Sequence, residues 1–399
     1  MSHRDKILGT YDRGAGKFGE EYARVTTPQV LGGLVERLPN FRALDLGCGT
    51  GRDAKWLAEQ GFMVDAVDGS EGMLEEAMTR NSDPHVNYFK DLLPDMQNVR
   101  AKGEKYDVIL LSAVWMHMKP EERAVALRHI SDVAKPGAVV FISLRHGKGP
   151  EDRPMFEVSA EELKRMAAYE MIEFEHLPPT KDELGRGEVW WDSVCLRKPP
   201  ENLEAMSLIK GQVIQGRQSS TYKPALIISL SEAMKHNRNA LEHVDAANVE
   251  LPLSAIAQPW HRIYSEAAEM EIPQHGHPDA SLLSPLPHLK QSGEATPEAI
   301  ENGVRSVLTR NGPFKHIIDP TSSKPVFTTH KGEDGQWKVR FPRGVAEAVD
   351  VYQPLVCTGA KEAIARFLEQ RVQAPAERVS CFVDRIQPDT AETGQSAAI

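Results

Sequence analysis

From Arg42 onward the chain alternates short apolar runs with amphipathic stretches, the rhythm of a parallel sheet covered by helices on both faces. Apolar runs at 42–47, 62–68, 86–89, 106–112 and 138–144 read as five strands, and 171–177 and 189–198 as two more. Between them the pattern predicts helices over 53–60, from Ser70 to about Arg80, over 120–134 and over 159–167. Ser70 has the chemistry of an N-cap followed by acidic residues, and Ser159 with Glu162 has capping-box spacing. Gly137 stands where helix 120–134 would stop. Trp190 and Trp191 are adjacent in a strand and so send their rings to opposite faces, which makes packing the expected role of both.

Past Lys198-Pro199-Pro200 the rhythm changes. Segments 223–235, 251–268, 297–310 and 359–370 read as helices, Pro259 limiting or kinking the second. A Pro-, His- and Ser-rich connection fills 273–293, and 324–341 is strand-like. The expected fold is α/β, a doubly wound Rossmann-like seven-stranded sheet over 1–198, followed by a mainly helical α+β second domain over 199–387. The polar, aperiodic residues 388–399 are expected to be a disordered tail.

Composition narrows the classes. A chain of 399 residues exceeds the usual size of one core, and 41% hydrophobic with 26% charged residues falls in the globular range. A net charge of −10 without a Lys/Arg block weighs against tight nucleic-acid binding, although an acidic protein can hold a local basic groove. With no secretory start and no apolar run of bilayer length, a cytoplasmic address and no membrane partner are expected. Cys48, Cys195, Cys357 and Cys381 are scattered without a CxxC pair, and His275, His277 and His288 lack a matched Cys or carboxylate cluster. Reduced thiols and no metal are the expectation.

The chemistry concentrates in Asp45-Leu46-Gly47-Cys48-Gly49-Thr50-Gly51, between a predicted strand and a predicted helix. Glycines there allow a sharp turn and close approach of backbone to ligand, and the helix start offers free amides. A second acidic residue, Asp68, ends the next strand, before Gly69. G-x-G-x-G spacing with these two acids resembles the class I S-adenosylmethionine (SAM)-dependent methyltransferases. The resemblance runs over about residues 10–198 and continues in order. Asp68-Gly69-Ser70 with Met73-Leu74 matches the segment whose acid binds both ribose hydroxyls of SAM, a task suited to a carboxylate. Asp91-Leu92 matches the pair that receives the adenine amino group. The segment from Ser112 through Trp115 to His117 matches the one beneath the methionine portion. SAM is thereby implied as methyl donor. Arg52 would face its carboxylate or cap the loop.

Methyl transfer from a sulfonium asks mainly for alignment, exclusion of water and, for some acceptors, removal of a proton. His117 is the candidate base, with packing or orientation of the substrate as its plainer role. Tyr11 and Tyr22 lie in YDRGAGKFGEEYARV (11–25), which resembles the helical lid of small-molecule methyltransferases, and Trp115 is a further candidate for contact with substrate.

The acceptor is less legible. Ser112-Ala113-Val114-Trp115 stands where DNA amino-methyltransferases carry a Pro-Pro-aromatic motif, and no Pro-Cys dipeptide provides a cytosine-C5 nucleophile. A small-molecule acceptor leads, with RNA or protein left open. The stretch Ser219–Leu226 with Leu251–Ala257, Trp260 and Tyr264 faintly resembles the non-catalytic region of bacterial HNH restriction endonucleases, which implies the alternative of a nucleic-acid-associated methyltransferase or SAM-binding protein tied to restriction or phage defence.

Overall fold

The computed structural model describes residues 2–27, 42–199, 204–218, 220–274, 296–310 and 312–386. They fall into two compact units, Met1–Glu201 and Asn202–Ile399. The His275–His288 segment, the tail beyond 387 and Pro200 lie outside the described residues.

In the first unit, α1 (His3–Tyr22) precedes β1 (Arg42–Leu46), α2 (Arg52–Glu59), β2 (Met63–Asp68), α3 (Glu71–Arg80), β3 (Val86–Lys90) and α4 (Gln97–Ala101). There follow β4 (Tyr106–Leu111), α5 (Pro120–Val133), β5 (Ala134–His146), α6 (Ala160–Tyr169), β6 (Glu173–Lys181) and β7 (Trp190–Arg197). The seven strands form one sheet in the order β3-β2-β1-β4-β5-β7-β6. All neighbours are parallel except β5 with β7 and β6 with β7. The predicted α/β sheet is therefore the observed one.

Alternation along the strands loads both faces. Leu44 and Leu46 of β1 join Ile109, Ile142, Leu127, Ile130 and Leu163 in one cluster. Ala43 joins Leu57, Val64, Val108 and Phe141 in the other. Helices thus cover each face, and the chain reverses direction across the sheet between β1 and β4. That reversal leaves a crevice beyond the carboxyl ends of the strands, where open α/β sheets bind ligands.

Local signals hold at the caps. The Ser70 hydroxyl accepts from the Met73 amide at 3.1 Å, and Ser159 accepts from the Glu161 and Glu162 amides. The Glu162 carboxylate itself accepts from Arg123 at 2.6 Å. Gly137 is a correction. Helix α5 ends at Val133 and β5 begins at once, so Gly137, at φ 80°, lies inside the strand. Its amide reaches the carbonyls of Lys198 and Pro199, beside the register shift opposite Tyr106 and Val108.

The second unit contains α7 (Glu204–Leu208), α8 (Tyr222–His236), β8 (Glu242–His243), β9 (Asn248–Pro252), α9 (Leu253–Glu269), α10 (Pro297–Arg310) and α11 (Pro313–His316). After these come β10 (Thr328–Lys331), β11 (Trp337–Pro342), α12 (Arg343–Val351), α13 (Gln353–Phe367) and α14 (Ala376–Arg385). Helix α8, buried over most of its surface, packs against α9 and α13. The strands make an antiparallel sheet, β10-β11-β9-β8, more than the single strand-like stretch predicted. Leu251 belongs to β9 because it pairs with Val339, and α9 begins only at Leu253. Pro259 does not end that helix. The helix expected at 359–370 begins at Gln353.

Candidate functional site

The carboxyl ends of β1 to β5 converge on a cavity of about 570 Å³ in the first unit. The turn after β1 sets its floor. Gly47, Gly49 and Gly51 have φ of 74°, 54° and 75°, values that L side chains rarely adopt. Their surroundings differ. A Cβ on Gly47 would stand 2.5 Å from Val114 Cγ2, and one on Gly51 would collide with the Tyr88 hydroxyl. A Cβ on Gly49 would meet only Met73 Cε, at 3.6 Å, because Gly49 faces the cavity. Gly51 does not line it and instead caps α2.

Three carboxylates stand along this wall. Asp45 is 1% exposed, and neither of its oxygens has a hydrogen-bond partner among the described residues. Burial first, and then the charge of Asp53, hold its carboxyl well above the usual range. Asp68 accepts from the amides of Gly49 and Ser70, each at 2.9 Å, which locks the glycine turn to the end of β2. Burial raises its pKa against those bonds. Asp91 accepts from the Leu92 and Val99 amides, each at 2.8 Å. The Leu92 amide is thus already directed at its neighbour's carboxylate. Leu92 and Gly69 both line the cavity and touch, since a Cβ on Gly69 would collide with Leu92 Cδ2. Ser112 lines it past β4. Arg52 lines it too, but its guanidinium grips Asp53 at 2.8 and 2.7 Å.

The roof is α1. Asp12 accepts from the Ser70 hydroxyl at 2.6 Å and from the Gly72 amide, while Ala15 and Phe18 pack on Met73. This places Tyr11 and Tyr22 over the cavity. Arg153, which the sequence reading did not single out, donates to the Tyr22 hydroxyl at 3.0 Å and to that of Tyr11 at 3.4 Å. The Tyr11 oxygen in turn stands 3.1 Å from His117 Nε2. Arg153 can only donate, so the Tyr11 hydroxyl accepts from it, while the roles in the Tyr11–His117 bond depend on the imidazole tautomer. Burial, reinforced by the charge of Arg153, lowers the His117 pKa to about 4, with the Pro154 carbonyl a loose counterweight.

Two calls change. Trp115 is fully buried in the core cluster and does not line the cavity, because the 3₁₀ turn Trp115–His117 sends its ring inward and the imidazole outward. Trp191 is no mere packing residue, since it lines the cavity and its indole donates to Asp182 at 3.1 Å, whereas Trp190 stacks on His146 at 3.8 Å. Asp182 also receives the Arg186 guanidinium, which drives its pKa down to about 2 despite partial burial. Asp182, Arg186, Arg145 and Arg153 all line the cavity and all escaped the sequence reading, for they sit on strand ends and loops without a motif.

Residues 43–137 match the family model described as a methyltransferase domain, and residues 202–348 match one described as a domain of unknown function (DUF8808). Glycine N-methyltransferase from Rattus norvegicus is 31% identical over 128 residues, 29% of this chain and 43% of that protein. Malonyl-[acyl-carrier protein] O-methyltransferase from Serratia marcescens is 28% identical over 144 residues, 35% of this chain and 53% of that one. The chain spans about half the length of these curated relatives. Magnesium protoporphyrin IX methyltransferase from Synechocystis PCC 6803 aligns with 49% of this chain and all of its own, at 15% identity and a TM-score of 0.39. The first unit carries a class I methyltransferase domain, the class whose methyl donor is SAM. The resemblance of the second unit to HNH endonucleases finds no support in these matches. No described helix is long and apolar enough to cross a membrane.

Proposed function

We propose that the first unit transfers a methyl group from SAM to a small-molecule acceptor. The observation that carries this reading is the convergence of the Gly49 turn, Asp68 and Asp91 on one roofed cavity, each delivered by a different strand end. The residues present suit the cofactor. Asp45 is a buried carboxylate in want of a partner, which the methionine ammonium of SAM would provide. Asp68 and Asp91 each spend two acceptor positions on backbone amides and keep others for ribose hydroxyls and the adenine amine. Bound SAM supplies a methyl group already activated on a sulfonium.

The chain's own contribution is alignment and exclusion of water. Tyr11 and Tyr22, held by Arg153, close the roof. A base is most effective with a pKa near the working pH, and His117 at about 4 lies well below neutrality. We assign His117 to positioning: its neutral ring fixes the Tyr11 hydroxyl and presents an edge to the acceptor. The enclosed roof, and the small acceptor in the name of the glycine N-methyltransferase relative, favour a metabolite over a polymer. Incubation with methyl-labelled SAM and fractionated cell extract tests the reading. Label in the small-molecule fraction is expected, and label confined to protein or nucleic acid would overturn the acceptor class.

A further inference from the structure

We propose that the acceptor enters as an anion, bearing a carboxylate or phosphate that Arg145 and Arg153 receive. This rests on the methyltransferase reading and names the chemistry of its acceptor. Most of the charges that line the cavity are paired. Arg4 is met by Glu122 at 2.8 Å, Arg52 by Asp53, and Arg186 by Asp182 at 2.6 Å. Glu183 accepts from the Thr26 amide at 2.9 Å, and Asp68 and Asp91 accept from backbone amides. The acidic groups other than Asp45 are therefore engaged.

Among the described residues, the lining guanidiniums of Arg145 and Arg153 make no hydrogen bond to a carboxylate. Arg145, at the end of β5, is 7% exposed; it donates to the Gly147 and Lys148 carbonyls at 3.0 and 3.1 Å, and its Nε is buried without a partner. Arg153 donates to two neutral phenols, and its Nε makes no hydrogen bond but stands 3.9 Å from the outward carboxylate of Asp152. Both arginines line the same cavity as His117, which Arg153 approaches through the Tyr11 hydroxyl. Burial and the nearby Arg186 lower the Arg145 pKa against the opposing charge of Asp182, while the guanidinium stays charged.

A buried cation without an anion is costly, and a guanidinium with free N–H groups matches a carboxylate or phosphate in both charge and shape. The same cavity is lined by Asp45, Asp68 and Asp91, from the ends of β1, β2 and β3. Its lining thus combines acids that suit a cationic cofactor with two guanidiniums that suit an anionic acceptor. An anionic acceptor held by the arginines would be drawn toward the sulfonium by opposite charge.

The test uses the full chain, with S-adenosylhomocysteine (SAH), malonate, inorganic phosphate and neutral malonamide as probes at constant ionic strength. Calorimetry first records SAH binding, then titrates each probe into protein with and without SAH. Binding of malonate or phosphate but not malonamide to the SAH-loaded protein is expected, and the stronger of the two anions tells a carboxylate site from a phosphate site. R145Q and R153Q should each weaken that binding by roughly tenfold or more, the scale for bonds to a charged group. R145K, which keeps the charge, should weaken it less, and melting curves establish that each variant is folded. Equal binding of malonamide, or unchanged anion affinity in folded R153Q, would overturn the proposal. So would competition between SAH and the anion, or an equal loss of affinity for both in the variants, since the arginines would then serve the cofactor's own carboxylate. Failure to bind SAH would count against the methyltransferase reading alone, because the SAH-free titrations still decide the anion site.

Discussion

The Tyr11 phenol on the amino-terminal helix lies 3.1 Å from Nε2 of His117, which follows β4, 106 residues further along the chain. This bond couples the roof of the cavity to its wall. It also occupies one of the two ring nitrogens, in surroundings that hold the imidazole neutral.

His117 should therefore leave a signature in stability before it leaves one in catalysis. Its pKa of about 4 in the folded chain lies below the ordinary value of 6.5, so the unfolded chain takes up its proton first as pH falls. The stabilising contribution is whole above about 6.5 and is lost as pH falls toward 4, with a span of about 3 kcal/mol. Urea denaturation at several pH values should show a weaker pH dependence in His117→Gln across this window. An identical slope in parent and variant would contradict the neutral assignment.

In catalysis, His117→Ala and Tyr11→Phe should act chiefly through a raised KM, with the pH profile of kcat retaining its shape near neutrality. Loss of an ionisation close to pH 7 together with a fall in kcat on the order of 10²–10⁴ would restore His117 as the base.

Asp68→Ala should weaken SAH binding by roughly 1–3 kcal/mol, the cost of losing hydrogen bonds to a charged acceptor. It also frees the amides of Gly49 and Ser70, so a lower melting temperature should accompany the loss. Calorimetry showing parental affinity would remove Asp68 from the cofactor site.

The three turn glycines should separate by phenotype. Gly51→Ala and Gly47→Ala place a methyl group against Tyr88 or Val114 and should destabilise the fold by roughly 1–3 kcal/mol, the cost of a strained left-handed residue with a steric clash. Gly49→Val carries the backbone strain but projects into the cavity, so SAH binding should suffer more than the melting temperature. Equal effects of all three on binding and stability would refute this division.

We further propose that the two units fold separately, with the boundary near Pro199–Pro200. A chain ending at Glu201 should keep the parental affinity for SAH, measured by calorimetry. An insoluble or non-binding product would mean that the first unit needs the second.

The sheet and the glycine turn with its strand-end acids were legible in the sequence because both are written locally. A parallel strand buried on both faces is a short apolar run, and a turn that must adopt positive φ three times in five residues is written as Gly47, Gly49 and Gly51. Asp68 and Asp91 follow from their places at strand ends. In the second unit the helices α8 and α10 stood out by periodicity, but β9 did not, because Leu251 and Pro252 read equally well as the start of α9 until pairing with β11 claims them.

Only tertiary structure decided which further residues share the cavity. Tyr11, His117, Arg145, Arg153 and Asp182 come from the lid, from turns and from strand ends, far apart in sequence and without fixed spacing, and no local pattern marks them as neighbours. The same holds for protonation. His117 alone is an ordinary imidazole, and burial beside Arg153 makes it a neutral one. Trp115 and His117 sit two residues apart with the same apparent claim on the substrate, and the 3₁₀ turn between them gives one to the core and the other to the cavity. Side-chain direction in a short turn is set by what packs behind it, which is a property of the whole fold.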